Sequence, residues 1–246
     1  MKVSILTVCL NSEKTILDTI KSVQYQTYDN TEHIVFDGGS TDETTSIAKS
    51  FEDKIRLVEG RDTGIFDAFN QALEYATGDI IGILNSDDYY VNNHVLELVV
   101  NTFKTVDTDS VYGDLDYVHY KNKNKITRRW IAGEFDIGKF EFGWVPPHPT
   151  FFVKRDMYKR YGAFNQSFKT SGDYELMLRM LYKNRISTRY IPNLLVKMRT
   201  NGRSDGSIFN RMNSLKEDYL SWKLNNLKPH FYTIPLKPLR KLPQFF

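Results

Sequence analysis

The sequence predicts an α/β protein with a mostly parallel sheet flanked by helices and a second half of different character. Three observations lead there. Apolar runs of strand length alternate with helix-period segments through the first hundred residues. Special polar residues gather where those strands end. Beyond about residue 110 the alternation gives way to a stretch rich in aromatics and prolines.

The elements follow in order. "VSILTVCL" reads as a strand, and "EKTILDTIKSVQYQ" spaces Ile16, Ile20 and Val23 as one helical face. "HIVFD" is a strand. "STDETTSIAKSF" opens with Ser40 and Glu43 three apart, the capping-box pattern of a helix start. "IRLVE" is a strand, and "GIFDAFNQALEYA" a helix with Ile65, Phe69, Ala72 and Ala76 on one side. "DIIGIL" is a strand, followed by the helix "NNHVLELVVNTF", capped by Asn92 or Asn93. Strands alternating with helices of this length imply a parallel, doubly wound sheet, which binds ligands at the carboxyl ends of its strands.

The later segments are more varied. "SVYGDLDYVHY" and "KITRRWIAG" flank the polar tip "KNKNK" as a hairpin. A helix follows Asp173, with Leu176, Met177, Met180 and Leu181 on one face, then a strand in "STRYIPNLLVKMR" and a last amphipathic helix in "IFNRMNSLKEDYLSWKL". No repeat or low-complexity linker interrupts the chain. It reads as one domain over 1–226, with halves at about 1–110 and 111–226, and a basic, aromatic tail over 227–246.

Composition narrows the class. The 246 residues suffice for a sizeable core, and a net charge of +3 is too small to argue for nucleic acid. The single cysteine, Cys9, lies in an apolar run and reads as a small core residue, which fits a reducing compartment. No apolar stretch approaches the roughly 20 residues of a membrane span. The N-terminal segment lacks a signal-peptide pattern.

Strand one ends near Thr7, Cys9 and Asn11, strand two in "DGGSTD", strand three in "EGRDTG" and strand four in "NSDD". A parallel sheet brings these ends to one edge. Asp37 can accept from ring N–H groups or hydroxyls, and Gly38 and Gly39 allow close backbone approach. Asp87 and Asp88 stand side by side after a buried strand with no basic neighbour, so a cation is expected to compensate them. They offer hard oxygen ligands for a divalent metal that bridges a diphosphate. Each feature also has a plainer reading: turns and helix caps for Asp37, Ser40, Asp42 and Asp62, and a first-turn acid for Asp67.

Taken together, "SILTVCLN", "VFDGGSTDET", "EGRDTGIFDAFNQAL", "GDIIGILNSDD", "HPTFFVKR" and "SGDYEL" resemble, in order over about residues 3–205, the family 2 glycosyltransferases. These are inverting enzymes of the Rossmann-like GT-A fold. The subgroup most resembled builds bacterial surface polysaccharides such as O-antigen, capsule and exopolysaccharide. The resemblance implies a nucleotide-sugar donor, typically a UDP-sugar. It implies that Thr7 and Asn11 line the nucleoside pocket, that Asp37 binds the base, typically uracil, that Asp62 and Asp67 border the same pocket with Gly39 and Asn70, and that Asp88 with Asp87 holds Mn²⁺ or Mg²⁺, which stabilises the leaving diphosphate. Asn85 stands where many members have Asp, which leaves the main ligand open between Asp87 and Asp88.

For the second half, the resemblance implies that Asp173 is the general base, with a helix cap as its plainer reading and Glu175 as second choice. His148 belongs to the acceptor-side wall or the donor phosphates, or is simply structural. Trp144 reads as core more than as a sugar platform. Arg199 and Arg203, with "TNGRSDGS", resemble a segment that closes over the diphosphate. The tail combines Lys228, Lys237, Arg240 and Lys241 with Phe231, Tyr232, Phe245 and Phe246, a mixture that suits an anionic membrane interface; a tail packed on the domain is the alternative. A polyprenyl-diphosphate-linked saccharide is the acceptor the resemblance implies, at the cytoplasmic face of the cell membrane. Rival readings are a sugar nucleotidyltransferase, disfavoured because "TVCLNSEK" lacks a glycine-rich basic loop, and a non-catalytic nucleotide-binding module.

Overall fold

The computed structural model describes residues 1–200 and 208–245. One mixed sheet organises it, with strands in the order β3-β2-β1-β4-β8-β6-β9-β5 and β7 beside β6. Strands β1 (Val3–Cys9), β2 (Thr31–Asp37), β3 (Arg56–Glu59) and β4 (Ile80–Ile83) are parallel. Every residue of β1 and β4 is buried, as expected of strands covered on both faces. The register sets Cys9 opposite Asp37 and Asp37 opposite Glu59, so the three carboxyl ends lie abreast.

Helices α1 (Ile16–Gln24), α2 (Thr44–Lys49), α3 (Ile65–Glu74) and α4 (Val95–Thr105) cover the parallel half. Their apolar stripes fill clusters above and below the sheet. Three local expectations are corrected. The capping box does not form: Ser40 bonds to Asp37 and Asn11 instead, and Asp42 meets the N–H of Thr44 at 3.0 Å. In α3 the buried face is Phe66, Phe69 and Ala72, while Ile65 is exposed. Helix α4 is entered through His94 with no side-chain cap, because Asn92 spends its carbonyl on the His94 N–H in the preceding turn.

The second half inserts β8 (Phe152–Lys154) antiparallel between β4 and β6 (Ser110–His119). Strand β9 (Thr188–Arg199) runs parallel to β6 and carries the two-residue β5 (Tyr89–Tyr90) on its far side. The hairpin forms, but β7 (Asn122–Trp130) already includes Lys123 and Lys125, expected at its tip. After the short α5 (Arg155–Tyr161), α6 (Gly172–Met177) passes into a wider π-turn over Leu178–Lys183 and keeps Leu176, Met177, Met180 and Leu181 buried.

Helix α7 (Ile208–Leu224) is not the last. The tail folds back as α8 (Thr233–Leu239), whose Thr233 hydroxyl donates to the Glu141 carbonyl and whose Lys237 pairs with the buried Asp218. Gly143 permits this docking, with φ +77 and the α8 backbone 2.7–2.8 Å from where a Cβ would stand. Among the described residues no helix is long and apolar enough to cross a membrane.

Candidate active site

The carboxyl edge of the sheet carries an acidic rim. The turn after β2 is held by Asp37, which is buried: its carboxylate accepts from the N–H groups of Gly39 and Ser40 and from the hydroxyls of Ser40 and Thr45. Gly39 has φ +96, a conformation that favours glycine. Gly38 leaves room for a neighbour, since a Cβ there would lie 2.1 Å from Asp62 Oδ2. Asp62 accepts the Gly64 N–H through Oδ1 at 3.0 Å. Burial pushes its carboxyl above the usual range, and the charges of Asp67 and Asp37 push the same way against that hydrogen bond. An acidic group held in such a place suits a ligand that offers N–H or O–H donors.

The loop after β4 carries the second part. Asp88 is fully buried. Its Oδ2 accepts from Asn85 Nδ2 at 3.0 Å, while Oδ1 has no hydrogen-bond partner. Burial and then the Asp87 charge raise its carboxyl well above the ordinary range, and Asn85 and Arg199 pull the other way. The loop is tied down by Thr19, whose hydroxyl donates to the Asp88 carbonyl at 2.7 Å, and by Ser12 and Ser86, whose hydroxyls lie 2.9 Å apart. Arg199 is buried here. Its guanidinium donates to the Asp87 carbonyl at 2.6 Å and to the Asp18 carboxylate, and it lies over the Tyr89 ring. Arg199 is thus a clamp on the acidic loop, and the expectation that it belongs to a closing segment is corrected. Arg203 lies outside the described residues.

The third part comes from the other half. His148 Nδ1 lies 3.1 Å from Asp173 Oδ2, and its Nε2 lies 3.3 Å from Asn85 Nδ2. A continuous polar chain therefore runs Asp173–His148–Asn85–Asp88. Burial acts to raise the Asp173 carboxyl, but the His148 charge and hydrogen bond, then Lys237 and the Tyr174 N–H, hold it below the usual range. Ser171, not Asp173, is the N-cap of α6, which removes the cap reading. Glu175 is buried in a pair with Arg179 at 2.9 Å and accepts from Asn225, so it has no part as a substitute base.

Several sequence expectations resolve as framework. Thr7 is fully buried and shares a 3.0 Å hydrogen bond with His33, so it does not line an open pocket. Asn11, at φ +52, accepts from Thr41 and joins two loops. Asn70 is bonded in both directions to the Phe164 backbone. Asp67 holds the Thr63 N–H and meets Gln166. Trp144 packs edge-on against Tyr112 and Phe140. Sequence reasoning noted Asn85 only as a departure and missed it as the link to His148. It also missed Asp18 and Ser12, which carry no local motif.

Whether a divalent ion fits can be judged from the donors. Among the described residues no group of three or more His, Cys, Asp or Glu side chains gathers to hold an ion alone. An ion bound through one or two carboxylates and completed by substrate phosphates needs no such cage. The unpartnered Asp88 Oδ1, beside Asp87, fits that second kind of site.

Comparison with known proteins agrees with this layout. The family model "Glycosyl transferase family 2" matches residues 4–173. A PGL/p-HBAD biosynthesis glycosyltransferase of Mycobacterium bovis (strain BCG / Pasteur 1173P2) is 30% identical over 193 residues, covering 76% of this chain and 73% of that one. An uncharacterized glycosyltransferase of Rickettsia typhi is 29% identical over 229 residues, 89% of this chain and 70% of that one. Among solved structures, S. aureus TarS 1-349 in complex with UDP-GlcNAc matches with TM-score 0.73 and 20% identity. That match covers 92% of this chain, which spans 65% of the TarS chain. The mannosyltransferase PcManGT from Pyrobaculum calidifontis, in complex with GDP-Man and Mn²⁺, matches with TM-score 0.67 and 17% identity over 98% of this chain and 69% of that one. These likenesses give the GT-A fold, and the family match with the mycobacterial relative gives the activity class: the chain belongs to glycosyl transferase family 2 and is a glycosyltransferase.

Proposed function

We propose that this glycosyltransferase moves a sugar, with inversion, from a UDP-sugar to a lipid-linked saccharide, polyprenyl-diphosphate-linked in O-antigen, capsule or exopolysaccharide synthesis. The observation that carries the reading is the chain Asp173–His148–Asn85–Asp88, which joins a proton acceptor to an acidic pair at the carboxyl edge. A nucleotide-sugar donor is further supported by the ligands of the TarS and PcManGT structures.

At the nucleoside end, Asp62 Oδ2 is the acceptor for a base N–H, while Asp37 fixes the turn that frames it. Asp88 and Asp87 would hold Mn²⁺ or Mg²⁺. When bound, that ion offsets the charge of the diphosphate leaving group. Asp173 takes the proton of the acceptor hydroxyl as its oxygen bonds to the anomeric carbon and the bond from that carbon to the nucleotide breaks. The electron pair of the broken bond leaves with UDP. His148 orients the Asp173 carboxylate and keeps it ionised. A peripheral position at the cytoplasmic membrane face is consistent with exposed Phe231, Leu239 and Leu242 near Arg240 in the tail.

Calorimetric titration of UDP in Mn²⁺ and in chelator tests the metal assignment. Tight binding only in metal is expected, and it should be lost in Asp87→Ala/Asp88→Ala. Equal UDP affinity in chelator would remove the metal role. Transfer is tested by the anomeric configuration of the product, and retention of the donor's configuration would exclude a single displacement.

A further inference from the structure

A cavity of ≈ 260 Å³ lies between the end of β7, the segment around Gly143 and the folded-back tail. Lys139, Lys237, Arg240 and Lys241 line it, Trp130 and Trp144 form part of its wall, and none of its lining residues is acidic. Cations gathered in one concavity repel each other and focus a positive potential there. The repulsion registers at Lys241. The surrounding protein, then the charges of Lys237 and Arg128, hold its ammonium below the usual lysine range, with Asp218 and Asp173 opposing.

Two of the four cations are fixed by the protein itself. Lys237 Nζ lies 2.6 Å from Asp218 and 3.7 Å from the Tyr174 ring centroid. Lys139 donates to the Glu134 carbonyl at 2.6 Å. Arg240 and Lys241 make no salt bridge among the described residues. Lys237 also connects the cavity to the chemistry, because its charge acts on Asp173, the residue before Tyr174.

We propose that this cavity is an anion subsite for the acceptor, taking a phosphate or diphosphate ester of the molecule whose hydroxyl Asp173 deprotonates. The assignment to the acceptor rests on the transfer reading above. A guanidinium matches two phosphate oxygens, lysines add point charges, and the indole faces cover the apolar or sugar surface beside the ester. The donor diphosphate has its own place at Asp87 and Asp88, so a second anionic subsite on the Asp173 side belongs to the second substrate.

Two of the three tryptophans line the cavity, so indole fluorescence reports its occupancy. Inorganic pyrophosphate is titrated into the full chain in chelator, where the acidic pair repels anions. A saturable change is expected. Arg240→Gln/Lys241→Gln should weaken it about tenfold or more, one decade being about 1.4 kcal/mol. Arg240→Glu/Lys241→Glu should abolish it. UDP affinity of both variants in Mn²⁺ should match that of the intact chain, which also certifies their folding. No saturable change in the intact chain, or equal pyrophosphate affinity in the Gln pair, overturns the subsite. Failure of the intact chain to bind UDP strikes the transfer reading instead and leaves the pyrophosphate result standing. Co-sedimentation with phosphatidylglycerol vesicles is the second arm. Variants that lose pyrophosphate but keep vesicle binding support an acceptor ester; loss of both assigns the cavity to a lipid headgroup and overturns the acceptor assignment.

Discussion

Asp173→Asn separates a catalytic carboxylate from a structural one. The substitution keeps shape and removes one proton acceptor. Asp173 lies in the first turn of α6 behind the N-cap Ser171, so no cap is lost. Asn can still accept from His148 Nδ1–H. The side chains of the pair are 29% and 31% exposed, so losing its charge costs no more than about 1 kcal/mol of stability. Loss of a general base costs about two to four orders of magnitude in rate, or about 3–5 kcal/mol of barrier. The two magnitudes are far enough apart to be read separately. Initial rates of labelled sugar transfer from a UDP-sugar into lipid-linked acceptor should collapse, while UDP affinity holds and the melting temperature barely moves. A variant that keeps its rate within about tenfold would refute the assignment. The pH dependence has a defined sign. Burial raises the Asp173 carboxyl, but His148, then Lys237 and the Tyr174 N–H, bring it below the usual range. The carboxylate is therefore ionised at neutral pH, and the acid limb of the rate lies below the range of an ordinary aspartate. A depressed carboxylate also contributes stability that is present above its unfolded pKa and lost as pH falls through the folded one.

His148→Ala removes the main opposing influence, so burial should prevail and the acid limb of the rate profile should move to higher pH; an unmoved limb would mean that His148 does not tune Asp173. Asp62→Asn should weaken uridine as well as UDP at little cost to stability, whereas Asp37→Ala should lower the melting temperature by the equivalent of about 1–2 kcal/mol, because it removes the buried carboxylate that holds the part-buried N–H groups of the turn. The reverse pattern in uridine titration and thermal melts would return the base to Asp37. Gly143→Ala should destabilise the chain by about 2 kcal/mol, since a Cβ would strike the α8 backbone at a positive φ. It should also reduce pyrophosphate binding in chelator, while UDP binding in Mn²⁺ is kept.

The parallel half was legible because its signals are local and periodic. Ile16, Ile20 and Val23 declare a helix face, and the fully apolar β1 and β4 declare buried strands. The insertion of β8 between β4 and β6 left no mark, since only two register pairs hold each side. Helix starts were misread where a polar side chain had a better offer from another loop, as Ser40 does from Asp37 and Asn11. The same limit applied at the site. Asp87, Asp88 and Asp173 stand out in the sequence, but Arg199 reaches the acidic loop from 112 positions away and Asn85 meets His148 from 63 away. Those contacts decide which residues are framework, and no spacing rule reports them. The docking of the tail was hidden for a related reason: Thr233 donates to the Glu141 carbonyl and Lys237 pairs with the buried Asp218, contacts that a local mixture of basic and aromatic residues does not announce.

Asp88, the second of two adjacent acids after a buried strand, has its carboxylate satisfied only in part. Arg199 supplies a cation that the local sequence lacks, but its guanidinium hydrogen bonds go to a backbone carbonyl and to Asp18. Asn85 satisfies one oxygen of Asp88 and leaves the other buried without a donor. An aspartate in the place of Asn85 would add a third negative charge 3.0 Å from Asp88 and would face the His148 ring with an acceptor instead of an amide. With asparagine, the loop keeps a neutral bridge to His148. Asp88 and Asp173 are then coupled through hydrogen bonds without Asp173 sensing a further carboxylate. That arrangement holds the Asp173 carboxyl below the usual range and the Asp88 carboxyl above it within one connected network.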